Sequence, residues 1–374
     1  MPPVHLLIKP ASGLCNLRCK YCFYADEMKN REVASFGIMS LKTLEHMLQK
    51  TFAYAAGEVS LAFQGGEPTL AGLDFFRRAV ELTRKYNAKK LPVHFALQTN
   101  GIVIDGAWAE FFAQNKFLIG LSLDGIKDTH DEYRVDAAGN GTYKAVMRAA
   151  QILKKHQVEY NILTVITAQT AGRIGKIYSF YQNNGFHYQQ YIPCLDPLGE
   201  TRGRHVYSLT PEKYEYFLKT QFDCWYNDVR RGRFTHNRYF ENLVGMLLRQ
   251  PPESCDMSGH CNRQNVIEAD GSVYPCDFYV LDKYRLGNLN NNSFEEIEEK
   301  CKELGFLEES LKVEENCKAC KWYFLCRGGC RRDREQADGT LGLNYYCSAY
   351  RSFFEYAFAR LEKVARQAAM FPRA

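Results

Sequence analysis

The chain has 374 residues, and its 48 Lys and Arg against 43 Asp and Glu give a formal charge of +5. So small an excess, with no sustained basic block, excludes a protein that coats nucleic acid. Apolar residues at 46% and charged residues at 24% are ordinary for a globular chain and exclude bulk disorder. No apolar run reaches the roughly 18 residues of a membrane span, and no basic stretch followed by an apolar one opens the sequence as a secretory signal does. The expected location is therefore cytoplasmic, and the expected number of folding units, at roughly 100–200 residues each, is two.

Along the first half, short apolar runs alternate with amphipathic segments. Strands are predicted at His5–Lys9, Val59–Gln64, Val93–Thr99, Phe117–Leu123, Tyr160–Thr167 and Tyr188–Pro193. Helices are predicted at Leu41–Ala56, Asp74–Asn87, Ala107–Asn115, Thr142–His156 and Ile174–Asn183. In the first helix Leu41, Leu44, Leu48 and Phe52 recur at the spacing of one face. Such alternation implies parallel β/α units, in an open sheet or a partial barrel; in either, ligands bind at the C-terminal ends of the strands. Polar and glycine residues gather there: the Cys15–Cys22 loop, Gly65-Gly66-Glu67, Asn100-Gly101, Asp124-Gly125 and Leu195-Asp196-Pro197.

A further helix is predicted from Thr210, as N-cap with Pro211 in the first helical position, to about Arg231. Residues 232–254 read as a bridge. From Cys255 the texture turns to Cys, Gly and turn residues, with one clear helix at Phe294–Leu304 that Ser293 and Glu296 open as a capping box. Tyr350–Ala369 reads as a terminal helix. The expected divisions are 1–231, 232–254, 255–347 and 348–374.

The fourteen cysteines carry the chemistry. A reducing cytosol disfavours structural disulfides, so metal binding is the expectation. In Cys15-x3-Cys19-x2-Cys22, three thiolates in one loop suffice for three irons of a cubane cluster and leave the fourth iron without a protein ligand, the open position that catalysis needs. Zinc asks for a fourth ligand, and His5 sits on a predicted strand. Farther on come Cys261-x9-Gly271-x4-Cys276, Cys317-x2-Cys320-x5-Cys326-x3-Cys330 and Cys347. With Cys255 these make eight thiolates, enough for two four-cysteine clusters or two zinc sites; the first loop favours iron–sulfur. Asp270-Gly271 is expected to turn a hairpin that returns Cys276 toward Cys261. Cys194, Cys224 and Cys301 are read as ordinary thiols, and Arg327, Arg331, Arg332 and Arg334 as a solvated charged face in preference to a counter-charge for negative clusters or a face for a protein partner.

The first cysteine loop, with the aromatic Tyr21 before its last cysteine, resembles the radical S-adenosylmethionine superfamily. The resemblance covers residues 1 to about 231 and implies a partial (β/α)6 barrel, α/β in class. It further implies a [4Fe-4S] cluster on Cys15, Cys19 and Cys22 whose open iron is chelated by S-adenosylmethionine, which is cleaved to a 5′-deoxyadenosyl radical. It assigns cofactor contacts to Gln64, Gly65, Gly66 and Glu67, the last three as a motif that meets the methionine amino group. Ser122, with Asp124 nearby, falls where the family contacts the ribose or carboxylate, Arg134 where it steadies the carboxylate, and Leu195 where backbone meets adenine. For Glu67 there is a separate physical case, since a carboxylate after two glycines can accept from an ammonium at close range.

The later cysteines resemble the seven-cysteine motif of SPASM domains. By that resemblance Cys255, Cys261, Cys276 and Cys330 hold a nearer auxiliary [4Fe-4S] cluster and Cys317, Cys320, Cys326 and Cys347 a distal one, three clusters in all, ahead of a C-terminal helix. Within this group the chain is most similar to the anaerobic sulfatase-maturating enzymes, through Leu7-Ile8-Lys9-Pro10, Cys22-Phe23-Tyr24, Phe63-Gln64-Gly65-Gly66-Glu67-Pro68-Thr69, Leu97-Gln98-Thr99-Asn100-Gly101, Tyr274-Pro275-Cys276-Asp277-Phe278-Tyr279 and Asn344-Tyr345-Tyr346-Cys347.

That resemblance implies oxidation of a Cys or Ser in a C/S-x-P/A-x-R motif to Cα-formylglycine. Its partners would be an unfolded or nascent sulfatase and an electron donor such as a flavodoxin or ferredoxin, without nucleic acid or membrane. Asp277 matches the family's proton acceptor. A thiol of pKa about 8.5 is mostly protonated at neutral pH, so a positioned base helps, and burial should raise an aspartate toward that task. Tyr24 and Gln64 are candidates for lining the substrate pocket. The rival reading is a SPASM maturase that makes thioether or other crosslinks; such enzymes often carry a leader-binding domain, for which the 14 residues before Cys15 leave no room. A non-catalytic electron carrier would need neither the open loop nor Gly65-Gly66-Glu67.

Overall fold

Ten strands are present among the described residues, which are 3–336 and 338–370 of a computed structural model. In chain order they are β1 (Val4–Ile8), β2 (Val59–Phe63), β3 (Val93–Thr99), β4 (Phe117–Ser122), β5 (Tyr160–Ile166), β6 (Tyr188–Pro193), β7 (His236–Asn237), β8 (Val266–Ile267), β9 (Ser272–Tyr274) and β10 (Gly287–Asn288). The chain divides into two units. The first comprises Met1–Leu123, His130–Asn161 and Asn262–Phe306, the second Asp124–Thr129, Ile162–Cys261 and Leu307–Ala374.

In the first unit β1, β2, β3 and β4 lie side by side in sequence order, each pair parallel, with Val4 opposite Val59, Val59 opposite Val93 and Phe95 opposite Phe117. Each crossover reaches the next neighbour, without the reversal that marks a doubly wound sheet. This is the winding of a β/α barrel, and it settles the choice of sheet type that periodicity left open. Beyond β1 the order continues through β8, parallel to it, and then antiparallel β9 and β10. The β8–β9 hairpin turns at Asp270-Gly271, where Gly271 has φ +89°, a left-handed conformation that glycine adopts without strain.

Period-two burial explains the strands. Val4, Leu6 and Ile8 of β1, Val59, Leu61 and Phe63 of β2, and Phe117, Ile119 and Leu121 of β4 are buried on one side. Phe63 meets Phe76 edge-on at 5.1 Å, and Phe112 packs on Phe117 at 5.5 Å. Each such side chain contributes about 1.5–3 kcal/mol by leaving water. The helix Leu41–Tyr54 is capped by Ser40, which accepts from the Thr43 amide. Its buried face is Leu44, Met47, Leu48, Thr51 and Phe52; Leu41, expected on that face, is in the first turn and 53% exposed. At Phe294–Leu304 both hydrogen bonds of the Ser293/Glu296 capping box form.

In the second unit β5, β6 and β7 are parallel neighbours. Thr210 caps the helix Pro211–Arg230 as its sequence predicts. The bridge at 232–254 contains β7 and an amphipathic helix, Arg238–Leu247, whose Asn237 cap accepts from the Phe240 amide. The terminal helix begins earlier than expected and runs Cys347–Met370. It lies along Pro211–Arg230 through Tyr214 against Tyr350 and Phe222 against Phe353.

Candidate active site

The C-terminal ends of β1 to β3 bring three loops together in the first unit. The loop after β1 carries Cys15, Cys19 and Cys22, and none of the fourteen cysteines is in a disulfide. Segment 133–136 braces it: the Arg18 amide donates to the Val135 carbonyl at 2.7 Å and the Lys20 amide to the Tyr133 carbonyl at 3.1 Å. Tyr21 meets Tyr133 edge-on, and the Arg134 guanidinium lies 5.6 Å from the Tyr21 ring centroid. The Cys15 sulfur accepts from the Leu17 amide at 3.3 Å and from Asn100 Nδ2 at 3.7 Å. Burial still pushes the Cys15 thiol up to about 11. Cys22, also raised by burial, caps the helix Phe23–Lys29, and the Ala25 and Tyr24 amides and the Arg134 charge pull the other way.

Gly65 and Gly66 follow β2 with φ of +89° and +52°. A Cβ on Gly65 would lie 2.6 Å from Lys9 Cε, and one on Gly66 would overlap the Leu14 carbonyl oxygen. The two glycines therefore let the β2 loop press its backbone onto the cysteine loop, and the Glu67 amide fixes the contact by donating to that Leu14 carbonyl at 2.8 Å.

Glu67 follows the two glycines. It is 1% exposed, and its carboxylate accepts from the Thr69 amide and hydroxyl, the Thr99 hydroxyl and the Asn100 amide, at 2.6–3.1 Å. Three of these donors meet Oε1 and only the Asn100 backbone amide meets Oε2, so an acceptor position remains on Oε2. Glu67 thus ties the β2 loop to the end of β3. Asn100, read from sequence only as a strand end, joins Glu67 to the cysteine loop, since its backbone amide meets Glu67 and its side-chain Nδ2 donates to Asn16 Oδ1 at 2.8 Å.

Beside these loops stands Asp277, 6% exposed, in a short helical turn after Cys276. Tyr24 Oη and Gln64 Nε2 both donate to its Oδ2 at 2.7 Å. Its Oδ1 is buried and has no hydrogen-bond partner. Burial raises the carboxyl above the usual carboxylate range, opposed by Lys9, Tyr24 and Gln64. Below it lies an ionic group that the sequence reading missed. Lys9 bridges Glu27 and Glu268 at 3.3 Å each, Arg31 meets Glu268 at 2.7 Å, and the Lys9 ammonium sits 4.8 Å from the Tyr24 ring centroid. All four charged residues are buried. Burial alone would lower the Lys9 pKa, and Glu27, Glu268 and Asp277 outweigh it to raise it; burial raises Glu27 to about 7. The available signal was a lysine at the end of an apolar strand and a glutamate directly after Val266-Ile267.

Ser122 ends β4 in the first unit. In the second unit Asp124 is buried and accepts from the Val165 amide at 2.9 Å, while Leu195 follows β6. Cys276, buried, ends the β8–β9 hairpin in the first unit. In the second, Cys317, Cys320, Cys326 and Cys347 form one electrostatic group: after burial, their mutual charges raise the Cys317, Cys326 and Cys347 thiols, Cys326 to about 12. Cys255 is similarly raised to about 11, by burial and then by Asp256 and Cys261. Cys330 begins the turn Arg331–Arg334. Cys194 is buried at the end of β6, Cys301 is buried on Phe294–Leu304, and Cys224 is half-buried on Pro211–Arg230.

The arginines expected on a solvated face are not there. Arg331, Arg332 and Arg334 are buried, and Arg327 is half-buried. Among the described residues no three His, Cys, Asp or Glu side chains converge on a single-ion position. The thiol donor sets suit iron–sulfur clusters, whose protein ligands are cysteine thiolates. No helix of the described residues is long and apolar enough to cross a membrane.

Comparison with known proteins matches residues 10–181 to the radical SAM superfamily and residues 255–321 to an iron–sulfur cluster-binding domain, SPASM. The chain is 52% identical to a cysteine-type anaerobic sulfatase-maturating enzyme of Clostridium perfringens, over 98% of this chain and 99% of that one. It is 32% identical to a serine-type anaerobic sulfatase-maturating enzyme of Bacteroides thetaiotaomicron, over 95% and 89%. The solved structure of native anSMEcpe with bound AdoMet and Kp18Cys peptide superimposes with a TM-score of 0.94 at 50% identity, covering 98% of this chain and 100% of that one.

Proposed function

We propose, from the premise that this chain belongs to the radical SAM anaerobic sulfatase-maturating enzymes, that it oxidises the cysteine of a sulfatase Cys-x-Pro/Ala-x-Arg segment to Cα-formylglycine with Asp277 as the base. The observation that carries this reading is the lopsided environment of Asp277. Oδ2 takes two donors at 2.7 Å, and Oδ1 is buried with none. A carboxylate held on one side and open on the other is placed to receive one proton. The preference for cysteine follows the 52% and 47% identities to cysteine-type relatives against 32% and 31% to serine-type ones.

Cys15, Cys19 and Cys22 would hold the first [4Fe-4S] cluster and the eight SPASM cysteines two more. When bound, these groups and S-adenosylmethionine supply a radical that takes one hydrogen atom from the substrate Cβ and an acceptor for one electron. Gly65, Gly66 and Glu67 would receive the methionine ammonium, Glu67 through the acceptor position left on Oε2, and Arg134, beside the Tyr21 ring, would steady the carboxylate. Ser122, Asp124 and Leu195 keep the roles that the family resemblance gives them.

Asp277 takes the thiol proton. The substrate has then lost a hydrogen atom, a proton and one electron, and its Cβ–S bond becomes a thioaldehyde. Water replaces the sulfur, which leaves as hydrogen sulfide. A flavodoxin or ferredoxin would provide the electron that starts each turnover, and a sulfatase not yet folded is the substrate that can present such a segment. The test is Asp277→Asn: deoxyadenosine formation persists while aldehyde formation falls by roughly 10²–10⁴, the usual contribution of a positioned base. Full aldehyde yield in that variant removes Asp277 from the reaction.

A further inference from the structure

Residues 331–334, Arg-Arg-Asp-Arg, make one helical turn directly after Cys330, and all four are buried. Three have counter-charges. Arg331 donates to Glu309 at 2.7 Å, Arg332 lies 3.9 Å from Glu335, and Asp333 accepts from Arg202 at 3.1 Å. Arg334 has no carboxylate partner among the described residues. It is 5% exposed, its Nη2 and Nη1 donate to the Ser310 and Lys312 carbonyls at 2.7 and 3.1 Å, and its Nε has no acceptor. A guanidinium stays charged in any protein environment, and a buried charge without an opposite one is strongly unfavourable. The turn is therefore built around an anion that no side chain provides.

The neighbouring sulfurs identify its class. Ser310, whose carbonyl holds Arg334, accepts from the Cys261 amide through its hydroxyl at 2.8 Å. Burial raises the Cys261 and Cys317 thiols; Arg331 and Arg334 oppose the shift at Cys261, and Arg334 opposes it at Cys317, where Cys347, Cys320 and Glu314 add to the rise. Arg334 thus stands within electrostatic reach of cysteines from both halves of the SPASM pattern. A cluster held by four thiolates is an anion, and reduction adds one more negative charge. A fixed cation beside it favours the reduced form, and charge and hydrogen bonding near the sulfurs are among the terms that set a cluster's potential.

We propose that Arg334, assisted by Arg331, is the built-in counter-charge of the auxiliary clusters and raises their reduction potentials, so that they accept an electron more readily. This rests on the reading that the SPASM cysteines hold iron–sulfur clusters.

The test is an anaerobic redox titration of the full-length, cluster-loaded enzyme, followed by the spectroscopic signal of the auxiliary clusters, with iron and sulfide counted per chain. At the wild-type midpoint, Arg334→Gln should lower the reduced-to-oxidised ratio about tenfold, about 59 mV for a one-electron couple. Arg334→Lys, which keeps the charge, should stay within about threefold of wild type. Glu309 has a side chain 51% exposed, so Glu309→Gln is expected to fold; by removing a negative charge beside Arg331 it should raise the ratio. An unchanged ratio in a fully loaded Arg334→Gln, or equal shifts in Arg334→Lys and Arg334→Gln, overturns the proposal. If Arg334→Gln does not load, Glu309→Gln decides, and a ratio that stays or falls overturns it. The ligand reading is tested apart from this: Cys317→Ala must lose iron, and a full iron count there refutes the cluster assignment whatever Arg334 does.

Discussion

Tyr24 and Asp277, 253 residues apart in sequence, are joined by a 2.7 Å hydrogen bond in which the phenol donates to Oδ2. Together with Gln64 on the same oxygen, this bond fixes the carboxylate plane and keeps Oδ1 open. Tyr24→Phe should therefore release the carboxylate without touching the cysteine loop. A hydrogen bond to a charged group contributes roughly 1.5–3 kcal/mol, so aldehyde formation should fall at least about tenfold while deoxyadenosine formation stays within about twofold. Product and deoxyadenosine quantified in one anaerobic reaction check this. An equal loss of both would place Tyr24 in cofactor binding instead.

Glu27 makes stability depend on pH. Its ordinary value of 4.5 is raised to about 7 by burial, against the pull of Lys9. Between those values the folded chain holds a proton that the unfolded chain has lost, so Glu27 contributes stability fully below about pH 4.5 and loses it as pH rises through about 7. Glu27→Gln cannot titrate. The Tm of the wild type relative to Glu27→Gln should fall between pH 5 and pH 8, and a rise over that window would contradict the burial-dominated account.

Gly66→Ala should break the seat of the cysteine loop. At φ +52° an added Cβ overlaps the Leu14 carbonyl oxygen, backbone that cannot swing aside as a side chain can. The left-handed conformation alone costs about 1–2 kcal/mol for alanine. Affinity for S-adenosylmethionine, measured by equilibrium binding to the loaded enzyme, should weaken at least about tenfold. Gly72→Ala is the control: its φ is also positive, +83°, but nothing stands within 4 Å of its Cβ position, so affinity should hold.

Replacing Cys15, Cys19 or Cys22 by Ala should abolish S-adenosylmethionine cleavage and remove about four irons per chain, one cubane, with the auxiliary clusters retained. Loss of all iron would mean that the loop holds the fold of the whole chain and not one cluster.

The sequence disclosed the barrel strands because each is a short apolar run with buried alternate positions, as in Val59, Leu61 and Phe63. The Cys15–Cys22 loop was legible because its spacing is local, whereas the division of the later cysteines between two clusters rests on the family resemblance. What it hid depends on residues brought together by folding. Glu67 looks like a free carboxylate until Thr69, Thr99 and Asn100 are seen to surround it. Lys9, Glu27, Arg31 and Glu268 carry no local pattern, although they form one buried ionic group. The Arg331–Arg334 run has the composition of a solvated face, and only the turn after Cys330 shows that it is buried.

The central claim is that this chain oxidises a cysteine side chain in a sulfatase segment. Mass spectrometry of a reconstituted, oxygen-free reaction with S-adenosylmethionine, a reductant and a peptide carrying Cys-x-Pro-x-Arg tests it most directly, with a Ser-x-Pro-x-Arg peptide run in parallel. The account predicts an aldehyde-bearing peptide and an equal amount of 5′-deoxyadenosine, with the cysteine peptide converted in preference to the serine one. Deoxyadenosine without any change in either peptide, from an enzyme with its clusters loaded, would contradict it.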